Sequence, residues 1–74
     1  MSITYLAEMY CRIKRANPMI PVIALGIVKM ERAGNETGAI ERRNQFEANY
    51  GSEMAQALDV CTLFLRMYGD HTKL

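Results

Sequence analysis

The side chains best suited to nucleophilic or metal chemistry are two cysteines, Cys11 and Cys61, and the single histidine, His71. A thiolate activated by an imidazole is a common nucleophile, and cysteine with histidine is a common ligand set for structural zinc. His71 lies in a predicted tail, where a general base is poorly held within reach of its proton. Three such residues also fall short of the four ligands of structural zinc. A pairing of Cys11 with His71 in space stays open, although no feature of the sequence argues for it.

Residues 34–38, Gly-Asn-Glu-Thr-Gly, are superficially similar to a phosphate-binding loop. They lack the Lys-Ser/Thr pair that completes such a loop, and they do not follow a convincing strand. We interpret them as a turn between helices. The carboxylates are scattered among basic residues, as on ordinary solvated helices. The sequence therefore predicts a protein that is not an enzyme, with no catalytic residue, cofactor or metal site.

Composition narrows the class of protein further. The chain has 74 residues, half of them hydrophobic, and a net charge of +1. This length allows one small domain, and such domains bury only about 60% of their unfolded surface. Disulfides, metals or oligomerisation usually add the missing stability. The near-neutral charge gives no general attraction to nucleic acid or to an anionic membrane.

Neither a signal peptide nor an apolar stretch of about 20 residues is present, so we expect no membrane association and a cytoplasmic location. Both cysteines are then expected as free thiols. Each falls on the apolar side of its helix or at the edge of that side, which favours burial as a small hydrophobic residue. A disulfide is the minor alternative.

Apolar periodicity and turn residues predict an all-α domain of four helices over residues 1–69, followed by a flexible tail at 70–74. The predicted helices cover residues 3–16, 21–33, about 38–50, and 52–68. Asn17-Pro18 ends the first, and Gly34 is placed to end the second in the left-handed conformation. The first two turns of the second helix have no polar face and should be buried. A β-branched run at 19–28 also permits a strand there.

The fourth helix has the largest apolar surface, an arc of about 220° at 100° per residue. Its inner stripe consists of Met54, Leu58, Cys61, Leu65 and Tyr68, and its polar strip of Asp59, Thr62 and Arg66. The remaining apolar residues predict a homodimer that pairs through this helix, with an interface of Val60, Leu63, Phe64 and Met67. The alternative is a central helix that its own chain covers all round.

The third helix is mostly polar, with a narrow apolar stripe of Ala39, Phe46 and Tyr50. Together with the basic end of the first helix it predicts a free face for a partner, consisting of Arg12, Arg15, Arg42, Arg43, Gln45 and Asn49. Such residues also contact phosphates and base edges. The last two helices could therefore form a helix-turn-helix, but its recognition helix would be the most apolar element of the chain.

We expect a non-enzymatic protein that binds a second copy and another protein, as an adaptor or inhibitor. Small size and the absence of a catalytic pattern suit an accessory protein of a phage or mobile element, an expectation that no motif supports. The alternative is a small DNA-binding transcriptional regulator, which the near-neutral charge disfavours.

Overall fold

The computed structural model describes residues 3–68, which form four α-helices. These are α1 (Ile3–Ala16), α2 (Met19–Arg32), α3 (Glu36–Tyr50) and α4 (Ser52–Tyr68). The predicted all-α class is confirmed, and residues 19–28 are helical rather than a strand. The tail predicted at 70–74, which contains His71, lies outside the described residues. None of the four helices in the described part is long and apolar enough to span a membrane.

The helices α2 and α3 each begin two residues before the predicted starts at 21 and 38. The side chain of Asn35 accepts a hydrogen bond from the backbone N–H of Gly38 at 3.0 Å, so Asn35 is the N-cap of α3. Asparagine is among the best N-cap residues, and Gly38 consequently lies inside the first turn. Pro21 lies in the first turn of α2. The N–H groups of a first turn have no partner within the helix, so the missing N–H of proline costs no helical hydrogen bond.

Two glycines with positive φ set the turns around α3. Gly34 has φ +86° and follows α2, as predicted. The N–H of Asn35 donates to the carbonyl of Met30 at 2.9 Å, and the N–H of Gly34 donates to that of Glu31 at 3.0 Å. This pair of bonds is the Schellman motif, which satisfies the last carbonyls of a helix. Gly51, with φ +95°, joins α3 to α4.

The helices α2 and α4 form the central pair, because they pack most extensively on each other and each also contacts α1 and α3. Within residues 3–68, α1 and α3 do not contact one another. The core between the helices contains Leu6, Tyr10, Ile20, Ala24, Ile27, Val28, Ala39, Phe46, Leu58, Cys61, Phe64 and Leu65. Functional groups on α1 and α3 are therefore separated by the central pair.

The expected burial of the first half of α2 is wrong. Val22 is 69% exposed and Met19 is 58% exposed, and Leu25 on the same side is 38% exposed. The three neighbouring helices all pack on the opposite side of α2, which carries Ala24, Ile27 and Val28. The first two turns of the helix have apolar residues all round, but the rest of the chain covers only one side of them.

Candidate functional site

The predicted interface on α4 is split by the structure. The side chain of Phe64 is only 8% exposed, and its ring stacks on Tyr10 of α1 with 4.5 Å between ring centroids. Val60 is half-buried against the core. Leu63 and Met67 are exposed at 37% and 53%. Because α1 covers the flank that carries Phe64, the apolar face that α4 leaves free consists of Leu63, Met67 and the edge of Val60.

The polar strip of α4 faces α2 and α3. Thr62 is buried, and its hydroxyl donates to the backbone carbonyl of Asp59 at 2.9 Å. Arg66 donates through Nε and Nη2 to the two carboxylate oxygens of Glu31 on α2, both at 2.8 Å. The strip therefore joins α4 to its neighbours through hydrogen bonds and an ion pair.

Arg43 of α3 takes part in the same network. Its Nε and Nη2 donate to the two carboxylate oxygens of Asp59 at 3.0 and 2.7 Å, and its Nη1 donates to Glu47. The hydrogen bond to Asp59 is the main reason that the pKa of Arg43 is raised above its ordinary value. Arg43 lies four residues after Ala39 and three before Phe46, so it fills the gap in the apolar stripe of α3. This spacing was a signal that it faces α4.

The residues of the predicted partner face do not lie together in the structure. Arg12 and Arg15 are exposed on α1, while Arg42, Gln45 and Asn49 are exposed on α3. Since α1 and α3 lie on different sides of the central pair, these residues form two separate groups. Arg43 is half-buried in its ion pairs and is not a free member of either group.

The central helix α4 offers little to a DNA groove. Its outward residues include Glu53, Gln56, Leu63 and Met67, and Arg66 is already bound to Glu31. A recognition helix needs donors, acceptors and cations on its outer face. The exposed side of α4 instead carries one acid and an apolar end.

A cleft of about 170 Å³ lies where α2, α3 and α4 meet. Its floor is apolar, with Ile27 and Ala39, and its wall carries the charged residues of the network described above. The guanidinium groups in this wall already bind the carboxylates beside them. Among residues 3–68, no three His, Cys, Asp or Glu side chains are grouped as they would be in a metal site.

The two cysteines differ sharply in environment. Both are free thiols, but Cys11 is exposed on α1 whereas Cys61 is fully buried. The expected burial of Cys11 is therefore wrong, because α1 turns Leu6 and Tyr10 to the core and Cys11 lies outside that stripe. Burial raises the pKa of the Cys61 thiol to about 12.

Thiol labelling should follow this difference. With an aromatic disulfide reagent at pH 8, we expect rapid labelling of Cys11 and labelling of Cys61 only on unfolding, because the buried group is neither accessible nor ionised. The measurement is the number of thiols that react before and after denaturant is added. A Cys11→Ser control should abolish the rapid phase. Rapid reaction of both thiols in native buffer would contradict the assigned burial.

The ion pair between Arg66 and Glu31 predicts a dependence of stability on pH. Hydrogen bonds from Arg66 hold the pKa of Glu31 below its ordinary value of 4.5. The folded state then binds a proton at Glu31 less readily than the unfolded state does. The stabilisation is fully present above the unfolded pKa and is lost as pH falls through the folded pKa.

We expect Glu31→Gln to lower the free energy of unfolding by about 0.2–1 kcal/mol at pH 7, the usual range for exposed ion pairs. The difference from the native protein should shrink towards pH 3, as measured by urea denaturation at each pH. Glu41→Gln, at an exposed position of α3, is the matched control. A loss for Glu31→Gln that stays constant with pH would contradict the role of this pair.

Two faces thus remain on which exposed apolar side chains follow one another along a helix. The α2 face consists of Met19, Val22, Leu25, Gly26 and Lys29, together with Ala33, which caps the helix. The α4 face consists of Glu53, Gln56, Val60, Leu63 and Met67. Sequence reasoning found the apolar end of the α4 face but missed the α2 face, since it predicted burial for the first two turns of α2.

Comparison of the chain with protein-family models, curated proteins and solved structures gave no match.

Proposed function

We propose that this protein acts by binding protein, as an adaptor or inhibitor without enzymatic activity of its own. The observation that carries the proposal is the α2 face. Val22 is 69% exposed there, and no charged residue interrupts the face from Met19 to Gly26. Contiguous exposed apolar side chains mark interaction sites, because their burial is favourable by roughly 25 cal/mol per Å².

The α4 face supports the same function. Leu63 and Met67 are exposed beside the half-buried Val60, on the side of α4 away from α2. Methionine adapts its shape to different partners, which suits a contact surface. The partners we propose are a second copy of the chain and another protein. Two thiols without a disulfide fit the reducing cytoplasm, where we place the protein.

Protein is favoured over DNA as the partner. Arg43 is engaged by Asp59 and Glu47, and the exposed Arg42 is separated from Arg12 and Arg15 by the central pair of helices. A duplex would therefore meet the exposed cations of α1 and of α3 on separate surfaces, on a chain with a net charge of +1. DNA binding at moderate salt needs several phosphate contacts from one surface.

The proposal can be tested by site-specific photo-crosslinking in the cells that naturally produce the protein. A photoreactive residue is placed at Val22, at Leu63, and at Ala48, an exposed position of α3 that lies outside both faces. We expect protein adducts heavier than the monomer from positions 22 and 63 and not from position 48. No adduct at 22 or 63, or the same adducts from all three positions, would contradict binding through these faces.

The DNA alternative is tested by a mobility shift of a duplex at low salt. Our proposal predicts either no shift or a weak shift that Arg42→Ala leaves nearly unchanged. A strong salt-dependent shift that Arg42→Ala abolishes would favour the regulator instead.

A further inference from the structure

We infer that the α2 face binds the α4 face of a second copy, so that the protein associates head to tail. This inference deepens the proposed function and depends on it. Two features carry it, namely the spacing of the exposed residues on the two helices and the match between their side chains when the helices run antiparallel.

The exposed and half-buried positions of the two faces repeat with the same alternation of three and four residues on both helices. This spacing places residues along one seam of an α-helix, as at the contact positions of packed helices. The seam of α2 contains Met19, Val22, Gly26 and Lys29 and continues to Ala33, the residue that caps the helix. The seam of α4 contains Glu53, Gln56, Val60, Leu63 and Met67. The two seams can therefore lie against each other along the helical part of α2, from Met19 to Lys29.

In an antiparallel arrangement the apolar ends coincide. Met19 lies opposite Met67, and Val22 lies opposite Leu63. At the other end Lys29 lies one helical turn from Glu53, which gives a pair of opposite charge. In this register Lys29 faces Gln56 and Ala33 faces Glu53, so the charged pair lies at the end opposite the apolar contacts.

Gly26 supports this arrangement independently. A Cβ atom at this position would meet no heavy atom within 4 Å beyond the backbone of its own helix. Glycine within a helix costs about 1 kcal/mol relative to alanine, so an unexplained glycine is unfavourable for the isolated chain. In the antiparallel register Gly26 lies opposite Val60, where a missing side chain lets the branched residue approach.

Other pairings of these faces match less well. A parallel arrangement of α2 with α4 sets Met19 against Glu53 and Lys29 against Leu63. An antiparallel pair of two α4 faces sets Met67 against Glu53, so the predicted two-fold pairing through α4 places apolar side chains against polar ones. A parallel pair of two α2 faces brings together two copies of Lys29. Of the four pairings compared, only the antiparallel contact of α2 with α4 joins the apolar ends and also brings Lys29 within one turn of Glu53.

The α2 face and the α4 face point away from each other, because the two helices pack together through their buried sides, opposite to these faces. A contact between different faces of two copies leaves one face free at each end, so copies can add without closing into a two-fold dimer. A single seam of this size gives a small interface, and small interfaces are weak. We expect a Kd between about 10 μM and 1 mM.

The experiment is sedimentation velocity of the full chain and of two variants. Val22→Glu blocks the α2 face and Leu63→Glu blocks the α4 face, both at exposed positions. We expect the native protein to form dimers and larger species as its concentration rises. Each variant alone should associate at least about tenfold more weakly, the effect of disrupting a central contact residue. Ala48→Glu, which adds the same charge on α3, should associate like the native protein.

The decisive sample is an equimolar mixture of the two variants. Val22→Glu keeps an intact α4 face and Leu63→Glu keeps an intact α2 face, so together they should form a heterodimer with near-native Kd and nothing larger. A contact between like faces would not be restored by mixing, and that result would overturn the inference. A native protein that stays monomeric to about 1 mM would overturn it as well.

Failure of the inference is distinguishable from failure of the proposed function. A monomeric native protein whose photoreactive residue at Val22 crosslinks to a different protein would refute head-to-tail association and support protein binding. A monomeric native protein with no adduct from either face would refute both. In each experiment the circular dichroism spectrum shows whether the variant is folded, and Met67→Glu replaces Leu63→Glu if the latter is not.

Discussion

Leu58→Ala is expected to lower the free energy of unfolding by about 3 kcal/mol or more. Leu58 lies in the middle of α4, the central helix, and its side chain is completely buried. Removing a buried leucine side chain costs roughly 2–5 kcal/mol, because transfer free energy is lost and a cavity remains. A domain of this length has a total stability of only about 4–11 kcal/mol. The measurement is urea denaturation followed by far-UV circular dichroism.

Leu25→Ala is the matched control for this prediction. It removes the same atoms from a leucine that is 38% exposed on α2. We expect a smaller loss, about 1 kcal/mol, since Leu25 lies outside the core cluster and its truncation opens to solvent instead of leaving a closed cavity. Similar losses for the two variants would contradict the division of apolar residues between core and surface.

The course of the backbone could be predicted from local chemistry. Proline at position 18 ends α1, and Gly34 and Gly51 adopt the positive φ that ends α2 and α3. These signals act within a few residues, so the sequence contains them in full. The helix starts were less accurate: α3 begins two residues before the predicted start, because the side chain of Asn35 caps its first turn by accepting from the N–H of Gly38.

Which side of each apolar helix the rest of the chain covers could not be predicted in the same way. Periodicity gives the width of an apolar arc, but the covered part of that arc depends on where the other helices lie. In the first two turns of α2 the arc extends all round, and the neighbouring helices leave Val22 exposed. For α4 the arc covers about 220°, and α1 lies over Phe64 while Leu63 stays free. The residues of the candidate interface could therefore be identified only from the tertiary structure, which shows which apolar residues stay exposed.

Charged residues needed the same tertiary information. Arginine is common on solvated and nucleic-acid-binding surfaces, and for that reason the sequence predicts Arg43 on the partner face. Its position between Ala39 and Phe46 directs it to α4, where Asp59 accepts two hydrogen bonds from it. Neither residue alone indicates the pair, because the partners lie on different helices.

Phe64→Glu should unfold the protein, and this outcome separates a core residue from an interface residue. Phe64 is enclosed by Tyr10 at 4.5 Å and Tyr68 at 4.7 Å between ring centroids. Replacing such a ring by a smaller side chain costs about 3–5 kcal/mol, and burying an unpaired carboxylate adds a further penalty. We therefore expect loss of the helical circular dichroism signal at 25 °C together with a larger hydrodynamic radius in sedimentation velocity.

Met67→Glu is the control, because it introduces the same charge three residues later on α4, at a side chain that is 53% exposed. It should leave the helical signal and the melting temperature nearly unchanged and weaken only self-association. If Phe64→Glu stayed folded and merely dissociated, Phe64 would belong to the interface predicted from the sequence. The stacking of Phe64 on Tyr10 argues against that outcome, since a carboxylate in its place would be buried against two aromatic rings and would lose most of its hydration.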